Sequence, residues 1–121
     1  MKVLVVDDSV VELTRIKQIV ERAGHQVITA QDGVEALEMA KTHMPHMVFM
    51  DIVMPRMDGF RATRILTQDP LTKHMPVVLV STKSQSVDMA WAQKQGAQAL
   101  IAKPYSPASI LEQLTAFHKS P

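Results

Sequence analysis

Four short apolar runs in the sequence are each followed at once by polar or charged residues. These are Asp7 and Asp8 after residues 3–6, Asp51 after residues 47–50, Ser81 and Thr82 after residues 77–80, and Lys103 with Pro104 after residues 99–102. Carboxylate oxygens are the preferred ligands of hard divalent cations, and a lysine ammonium is a point charge for phosphoryl oxygens. An aspartate can also act as a nucleophile toward phosphorus. These residue types suit phosphoryl chemistry at a cation site, provided that the fold brings them together.

Three carboxylates in one pocket need a countercharge. Two like charges 4 Å apart repel by about 4 kcal/mol at an effective dielectric near 20. The site must therefore protonate, recruit Lys103 or bind a cation. An all-oxygen site of this kind is typical of Mg²⁺, which shares its ligands between protein, water and phosphate. Asp51 is then the natural nucleophile, and Lys103 and the Ser81 hydroxyl could each contact a phosphoryl oxygen.

The elements that must position these residues can be predicted from hydrophobic periodicity. The four apolar runs have strand length, and a more polar fifth candidate, residues 26–30, is typical of a sheet edge. Helical spacing predicts helices over residues 9–23, 33–42, 58–66, 84–95 and from 106 to near Lys119. Strands that alternate with helices form a parallel sheet covered on both faces. The polar residues that follow the strands then meet at the carboxyl edge of the sheet, where such folds bind ligands.

The fourth predicted helix carries an apolar stripe, formed by Val87, Ala90 and Trp91 and extended by Lys94. Such a stripe usually faces the core, so we expect Trp91 to be at least partly buried. The alternative is an aromatic that docks a partner. A small basic cluster, interpreted as a solvated helix face with partner docking as the alternative, comprises Arg56, Arg61 and Arg64.

Length and composition limit the remaining possibilities. The chain has 121 residues, a formal charge of +1 and no cysteine. It is therefore expected to form one domain (residues 1–121), without disulfides or zinc-thiolate sites. The balanced charge disfavours nucleic acid as a partner. No apolar run approaches the roughly 18 residues of a membrane helix, so we expect no membrane insertion and a cytoplasmic protein.

Four motifs in fixed order connect the chain to a known family. VLVVDDS, MDIVMPRMDGF, VVLVSTK and IAKPY together resemble the receiver domain of two-component response regulators, over essentially the whole chain. The chain looks most like the stand-alone receivers of chemotaxis and twitching-motility systems. This resemblance implies a flavodoxin-like, doubly wound five-stranded parallel sheet with strand order 2-1-3-4-5 and five flanking helices. It also implies a single receiver domain, with no output domain, that signals through phosphorylation and is not an enzyme.

The resemblance assigns the phosphoacceptor and its metal site residue by residue. Asp51 matches the aspartate that accepts the phosphoryl group. Asp8 matches a direct Mg²⁺ ligand, and Asp7 an acid that acts largely through water. The backbone carbonyl of Val53 matches the remaining protein ligand.

The resemblance also assigns the residues that respond to the phosphoryl group. Ser81 matches the switch hydroxyl and Thr82 the residue beside it, while Lys103 matches the family's lysine. The Lys103–Pro104 peptide bond is expected to be cis. Many receivers place an aromatic residue three positions before the lysine, where this chain has Leu100. That departure puts a switch by aromatic rotation in doubt and leaves movement of the Ser81 loop as the alternative.

The implied partners are a histidine kinase, as phosphodonor, and a downstream motility or signalling protein bound at the face formed by the fourth helix, fifth strand and fifth helix. A phosphate sink that drains a shared kinase remains an alternative. A Mg²⁺-dependent phosphatase with Asp51 as nucleophile would need a second acid as general acid–base, but the residues around Asp51 are apolar. A flavin or nucleotide carrier would place a glycine- or hydroxyl-rich loop where Asp7 and Asp8 stand.

Overall fold

The computed structural model describes residues 1–117, in which five β-strands alternate with five α-helices. In chain order the elements are β1 (Lys2–Val6), α1 (Val10–Arg22), β2 (Gln26–Ala30), α2 (Gly33–His43), β3 (Met47–Met50), α3 (Gly59–Gln68), β4 (Val77–Ser81), α4 (Ser86–Lys94), β5 (Ala99–Ala102) and α5 (Pro107–Phe117). All strand pairs are parallel, in the order β2-β1-β3-β4-β5. The predicted flavodoxin-like α/β fold is confirmed, with β2 at a sheet edge. The predicted helix end near Lys119 lies outside the described residues.

The sheet separates two apolar clusters. Alternate side chains of a strand point to opposite faces, so Leu4 and Val6 of β1 join one cluster while Val3 and Val5 join the other. The first cluster packs α2, α3 and α4 against the sheet, and the second packs α1 and α5. Because helices cover both faces, β1, β3 and β4 form the buried centre of the molecule. The carboxyl ends of these central strands are therefore held rigidly side by side.

Three helices begin close to the carboxyl edge of the sheet with side-chain caps. Ser9, Asp32 and Asp58 each accept a hydrogen bond from the backbone N–H three residues later, at 3.4, 2.8 and 2.8 Å. Such caps satisfy backbone donors that the first helical turn leaves unpaired. They also fix where α1, α2 and α3 start relative to the strand ends.

The helices are short compared with the thickness of a membrane. Within residues 1–117 the longest helix, α1, has 13 residues, whereas a spanning helix needs about 20. Among residues 1–117, no helix combines the length and the apolar composition that crossing a bilayer requires.

The apolar stripe of the fourth helix does not face the core as predicted, although Trp91 is half-buried as expected. Val87 is 68% exposed and Trp91 46% exposed, so the apolar stripe of α4 faces solvent and belongs to neither core cluster. The buried face of α4 is formed instead by Asp88, Ala92 and Gln95.

Local hydrogen bonding explains why an acid lies on the buried face of α4. The Asp88 carboxylate accepts a hydrogen bond from the Gln85 N–H at 3.0 Å and forms an ion pair with Lys83 at 3.1 Å. A buried carboxylate is tolerated when it is paired in this way. Ala92 is small enough to let the helix approach the sheet closely. Capping at the start of α4 therefore determines its orientation more than the hydropathy of its sequence does.

Candidate functional site

Three carboxylates meet at the carboxyl edge of the sheet. Asp7 follows β1 and Asp51 follows β3, and these two strands are paired neighbours. Carboxylate oxygens of Asp7, Asp8 and Asp51 all lie within 4.8 Å of one another. The structure thus brings together the three acids that the sequence places after two separate apolar runs.

Asp7 and Asp8 are adjacent in sequence but differ sharply in environment. The Asp7 N–H donates to the Ala30 carbonyl at 3.1 Å, which continues the β1–β2 hydrogen bonding by one residue. The Asp7 side chain is thereby directed inward, where it is 1% exposed and accepts a hydrogen bond from the Ser9 N–H at 2.9 Å. Asp8 is exposed. The two acids can therefore contribute differently to one site.

Lys103 supplies the positive charge at the centre of this cluster. Its Nζ donates to Asp7 Oδ2 at 2.9 Å and to Asp51 Oδ2 at 3.2 Å, and its side chain is only 11% exposed. The Lys103 N–H donates to the Ser81 carbonyl at 3.0 Å, which fixes the end of β5 against β4. The Lys103–Pro104 peptide bond is cis. One ammonium group is thus shared by two carboxylates.

Burial and the shared ammonium group shift the pKa values of Lys103 and Asp7. Burial by itself would lower the pKa of Lys103, but the hydrogen bonds and negative charges of Asp7 and Asp51 outweigh it and raise that pKa. Burial raises the pKa of Asp7, although the hydrogen bonds from Lys103 and Ser9 oppose the shift. Three carboxylates with one ammonium leave excess negative charge in an all-oxygen donor set. The cluster is consistent with a divalent metal site.

The other predicted site residues lie at the end of β4 and in the loops after β3 and β4. Ser81 is buried at the end of β4, and its Oγ accepts a hydrogen bond from the Lys83 N–H at 3.2 Å. Thr82 beside it is exposed. Val53 lies in the loop after Asp51 with its side chain exposed. The roles assigned to these residues stay predictions.

Gly59 has a positional role that the sequence analysis missed. Asp51 Oδ1 accepts a hydrogen bond from the Ile52 N–H at 2.7 Å, and the Gly59 N–H donates to the Ile52 carbonyl at 2.7 Å. A Cβ atom at position 59 would overlap the Asp51 carbonyl oxygen. Only glycine permits this approach of α3 to the residue that carries the acid. The sequence does contain a signal for this role, because Gly59 directly follows Asp58, the predicted helix cap.

Gly59→Ala is expected to lower the free energy of unfolding by about 2 kcal/mol, because the backbone of Asp51 or the start of α3 must shift. Urea denaturation measures this loss. Gly24→Ala is the matched control, since its added methyl meets no atom within 4 Å and is disfavoured only by a φ of +93°. That variant should lose only about 1 kcal/mol. Wild-type stability in Gly59→Ala would contradict the close approach.

The loop after Asp51 is tied to the start of α2. Arg56 donates from Nε to Asp32 Oδ2 at 2.9 Å and from its terminal guanidinium nitrogen to Asp32 Oδ1 at 3.2 Å. The Glu35 N–H, and then Arg56, lower the pKa of Asp32. Arg56 lies in the loop between β3 and α3 with a φ of +64°, so its interpretation as part of a helix face is wrong. Arg56 and Asp32 are 24 residues apart, so no local sequence pattern indicates that they pair.

Fold and site together define a class of protein, the doubly wound α/β domains with an acidic cluster and a lysine at the carboxyl edge of the sheet. Residues 3–115 match the family described as the response regulator receiver domain, and the chain belongs to that family. Receiver domains are phosphoacceptor signalling modules, not catalytic enzymes, and they take phosphoryl groups from histidine kinases.

The chain is similar to several individual proteins. Protein PilH of Pseudomonas aeruginosa is 40% identical over 115 residues, which cover 95% of both chains. The alkaline phosphatase synthesis transcriptional regulatory protein PhoP of Bacillus subtilis is 35% identical over 90% of this chain but 45% of its own length. Among solved structures, the chemotaxis response regulator CheY4 of Vibrio cholerae matches with a TM-score of 0.88 at 29% identity, covering 96% of this chain and 97% of that one.

Proposed function

We propose that Asp51 accepts a phosphoryl group from a histidine kinase in a Mg²⁺-dependent step, and that phosphorylation alters the binding of partners. One observation carries this proposal, which is the convergence of three carboxylates at the carboxyl edge of the sheet, two of them bonded to Lys103. Among the three acids, Asp51 alone is both hydrogen-bonded to Lys103 and followed by the loop that contains Val53. Its side chain is 12% exposed, whereas Asp7 is sealed from solvent.

The cation would be held by Asp51, by Asp8 directly, by Asp7 largely through water and by the backbone carbonyl of Val53. This set contains only oxygen ligands, which Mg²⁺ prefers. When bound, Mg²⁺ offsets the negative charge of the carboxylates and of the phosphoryl group that approaches them.

Transfer forms one bond and breaks one. A carboxylate oxygen of Asp51 bonds to phosphorus while the phosphorus–nitrogen bond of phosphohistidine breaks and the imidazole leaves. Lys103 then pairs with a phosphoryl oxygen, and the Ser81 hydroxyl donates to another, next to Thr82. Hydrolysis later returns Asp51 to its free carboxylate.

The structural response follows from contacts that the phosphoryl group would replace. Lys103 now bonds to Asp7 and Asp51, and Ser81 Oγ accepts from the Lys83 N–H. Redirecting both groups toward phosphate biases the loops after β4 and β5. With Leu100 at the position where many receivers carry an aromatic, the loop that contains Ser81 is the moving part.

The downstream partner would bind the face formed by α4, β5 and α5. Similarity to CheY4 and PilH supports a role in chemotaxis or twitching-motility control, and such signalling would take place in the cytoplasm. The prediction that residues 1–121 act as one receiver domain without an output domain stays a prediction. A phosphorylation-dependent pull-down would separate an effector from a phosphate sink.

Intact mass after exposure to acetyl phosphate tests the proposal. We expect a single phosphoryl adduct on the wild-type protein with Mg²⁺ and none when Mg²⁺ is chelated. Asp51→Asn keeps the side-chain shape and should give no adduct, with an unchanged circular dichroism spectrum. An adduct that persists on folded Asp51→Asn would show that another residue is the acceptor.

A further inference from the structure

An open apolar groove of about 520 Å³ lies between the start of α3 and the outward face of α4. Its apolar lining consists of Phe60, Val87, Ala90 and Trp91. We infer that this groove docks an acidic amphipathic helix of a protein partner. The groove is distinct from the face proposed for the downstream partner, because Met89 and Gln93 line the opposite side of α4 toward β5.

The exposed side chains have the spacing that a helix recognises. Val87, Ala90 and Trp91 lie at positions i, i+3 and i+4 of α4, so they form a continuous stripe along it. Val87 is 68% exposed and Trp91 46% exposed, which is unusual for large apolar residues on the same face. Apolar side chains that line one groove offer a contact surface to another protein. An amphipathic helix lays its apolar side chains into such a groove.

The charges around the groove select the partner. The charged residues that line the groove are Lys83, Lys94 and Asp88. Asp88 is buried and paired with Lys83, so Lys94 is the one lining cation without a carboxylate partner among the residues of the groove. The Lys94 ammonium lies 5.5 Å from the Trp91 ring centroid, at the end of the apolar stripe.

This arrangement favours acidic side chains on the partner helix, flanking its apolar ones. Nucleic acid fits less well, because the apolar walls of the groove offer nothing to a phosphate backbone. A protein helix with glutamates beside its apolar side chains would match both the apolar lining of the groove and the positive charge of Lys94.

A short chain of contacts joins the groove to the candidate switch. Ser81 Oγ accepts from the Lys83 N–H at 3.2 Å, Lys83 Nζ pairs with Asp88 at 3.1 Å, and Asp88 accepts from the Gln85 N–H at 3.0 Å. This part of the inference rests on the proposed function. If phosphorylation draws Ser81 Oγ away, Lys83 and the start of α4 are released together. Phosphorylation therefore changes the affinity of the groove for its helix.

Fluorescence anisotropy of a labelled synthetic peptide tests the docking on the full chain. The probe is a helical peptide with leucines at i, i+3, i+4 and i+7 and glutamates elsewhere. We expect saturable binding. Trp91→Ala and Val87→Ser should each weaken the binding about tenfold, and Lys94→Glu should weaken it as well. Gln93→Glu, on the opposite side of α4, is the matched control and should leave the affinity unchanged.

Three results would overturn the assignment of the groove. The first is that a peptide with lysine in place of glutamate binds equally well. The second is that Trp91→Ala and Val87→Ser leave binding of the acidic peptide intact. The third is that a single-stranded oligonucleotide or a second copy of the protein binds more tightly than the peptide and depends on Trp91. Circular dichroism confirms that each variant is folded.

Repeating the titration with acetyl phosphate and Mg²⁺, while intact mass reports the adduct, separates the two proposals. A shift in peptide affinity that accompanies the adduct supports the coupling, and an adduct without a shift overturns it. If no adduct forms, the phosphoacceptor proposal fails, and the titration of the unmodified protein still decides the groove.

Discussion

Lys103→Met is expected to lower the free energy of unfolding by about 3 kcal/mol at neutral pH in metal-free buffer. Methionine keeps most of the buried stem of the side chain but removes the ammonium. Asp7 and Asp51, which both bond to Lys103 Nζ, would then face each other without a countercharge. Urea denaturation in the presence of a chelator measures the loss. Lys73→Met, at an exposed position, is the matched control and should stay within about 0.5 kcal/mol of wild type.

The loss in Lys103→Met should depend on pH with a definite sign. Burial already raises the pKa of Asp7 in the folded protein, and removing Lys103 raises it further. The folded state then binds this proton more tightly than the unfolded state, so stability is lost as pH rises through the folded pKa. Lowering the pH, or adding Mg²⁺, should therefore shrink the deficit. If neither lower pH nor Mg²⁺ reduces the loss of stability, the cause is lost packing of the Lys103 side chain and not the missing charge.

Asp8→Asn is expected to weaken Mg²⁺ binding about a hundredfold, an effect of the size seen when a metal site loses a supporting group. Because Asp8 is exposed, the metal-free stability of the variant should stay close to that of wild type. Isothermal titration with Mg²⁺ and urea denaturation measure the two quantities on the same samples.

Asp7→Asn provides the contrast to Asp8→Asn. Burial raises the pKa of Asp7, so its ionised form opposes folding at neutral pH. The neutral amide should therefore increase metal-free stability while it weakens Mg²⁺ binding less than Asp8→Asn does. A greater loss of Mg²⁺ affinity in Asp7→Asn would reverse the direct and water-mediated roles proposed for the two acids.

The sheet could be predicted from the sequence because four of its five strands have their own apolar runs, each followed by polar residues. The strand order came with the resemblance to receivers, and pairing confirms it. The orientation of α4 could not be predicted, because hydropathy ranks Asp88 as an outward residue. Its burial depends on Lys83 and on the Gln85 N–H, contacts that exist only once the loop before α4 has folded.

The acids of the candidate site could be predicted as a group, since parallel strands end at one edge. The difference between Asp7 and Asp8 could not, because it depends on one extra hydrogen bond to Ala30 of the neighbouring strand. The Arg56–Asp32 pair was missed for a related reason. It joins two loops that are distant in sequence, and neither residue follows a pattern that identifies the other.

The outward orientation of Trp91 also equips the protein with an optical reporter. Trp91 is the single tryptophan in the chain, so indole emission comes from one site. That site lies on the groove of α4, half in solvent and beside the Lys94 ammonium. The wavelength of indole emission follows the polarity around the ring, so docking of an apolar helix would shift it to the blue. Unlabelled protein can thus report occupancy of the groove in real time.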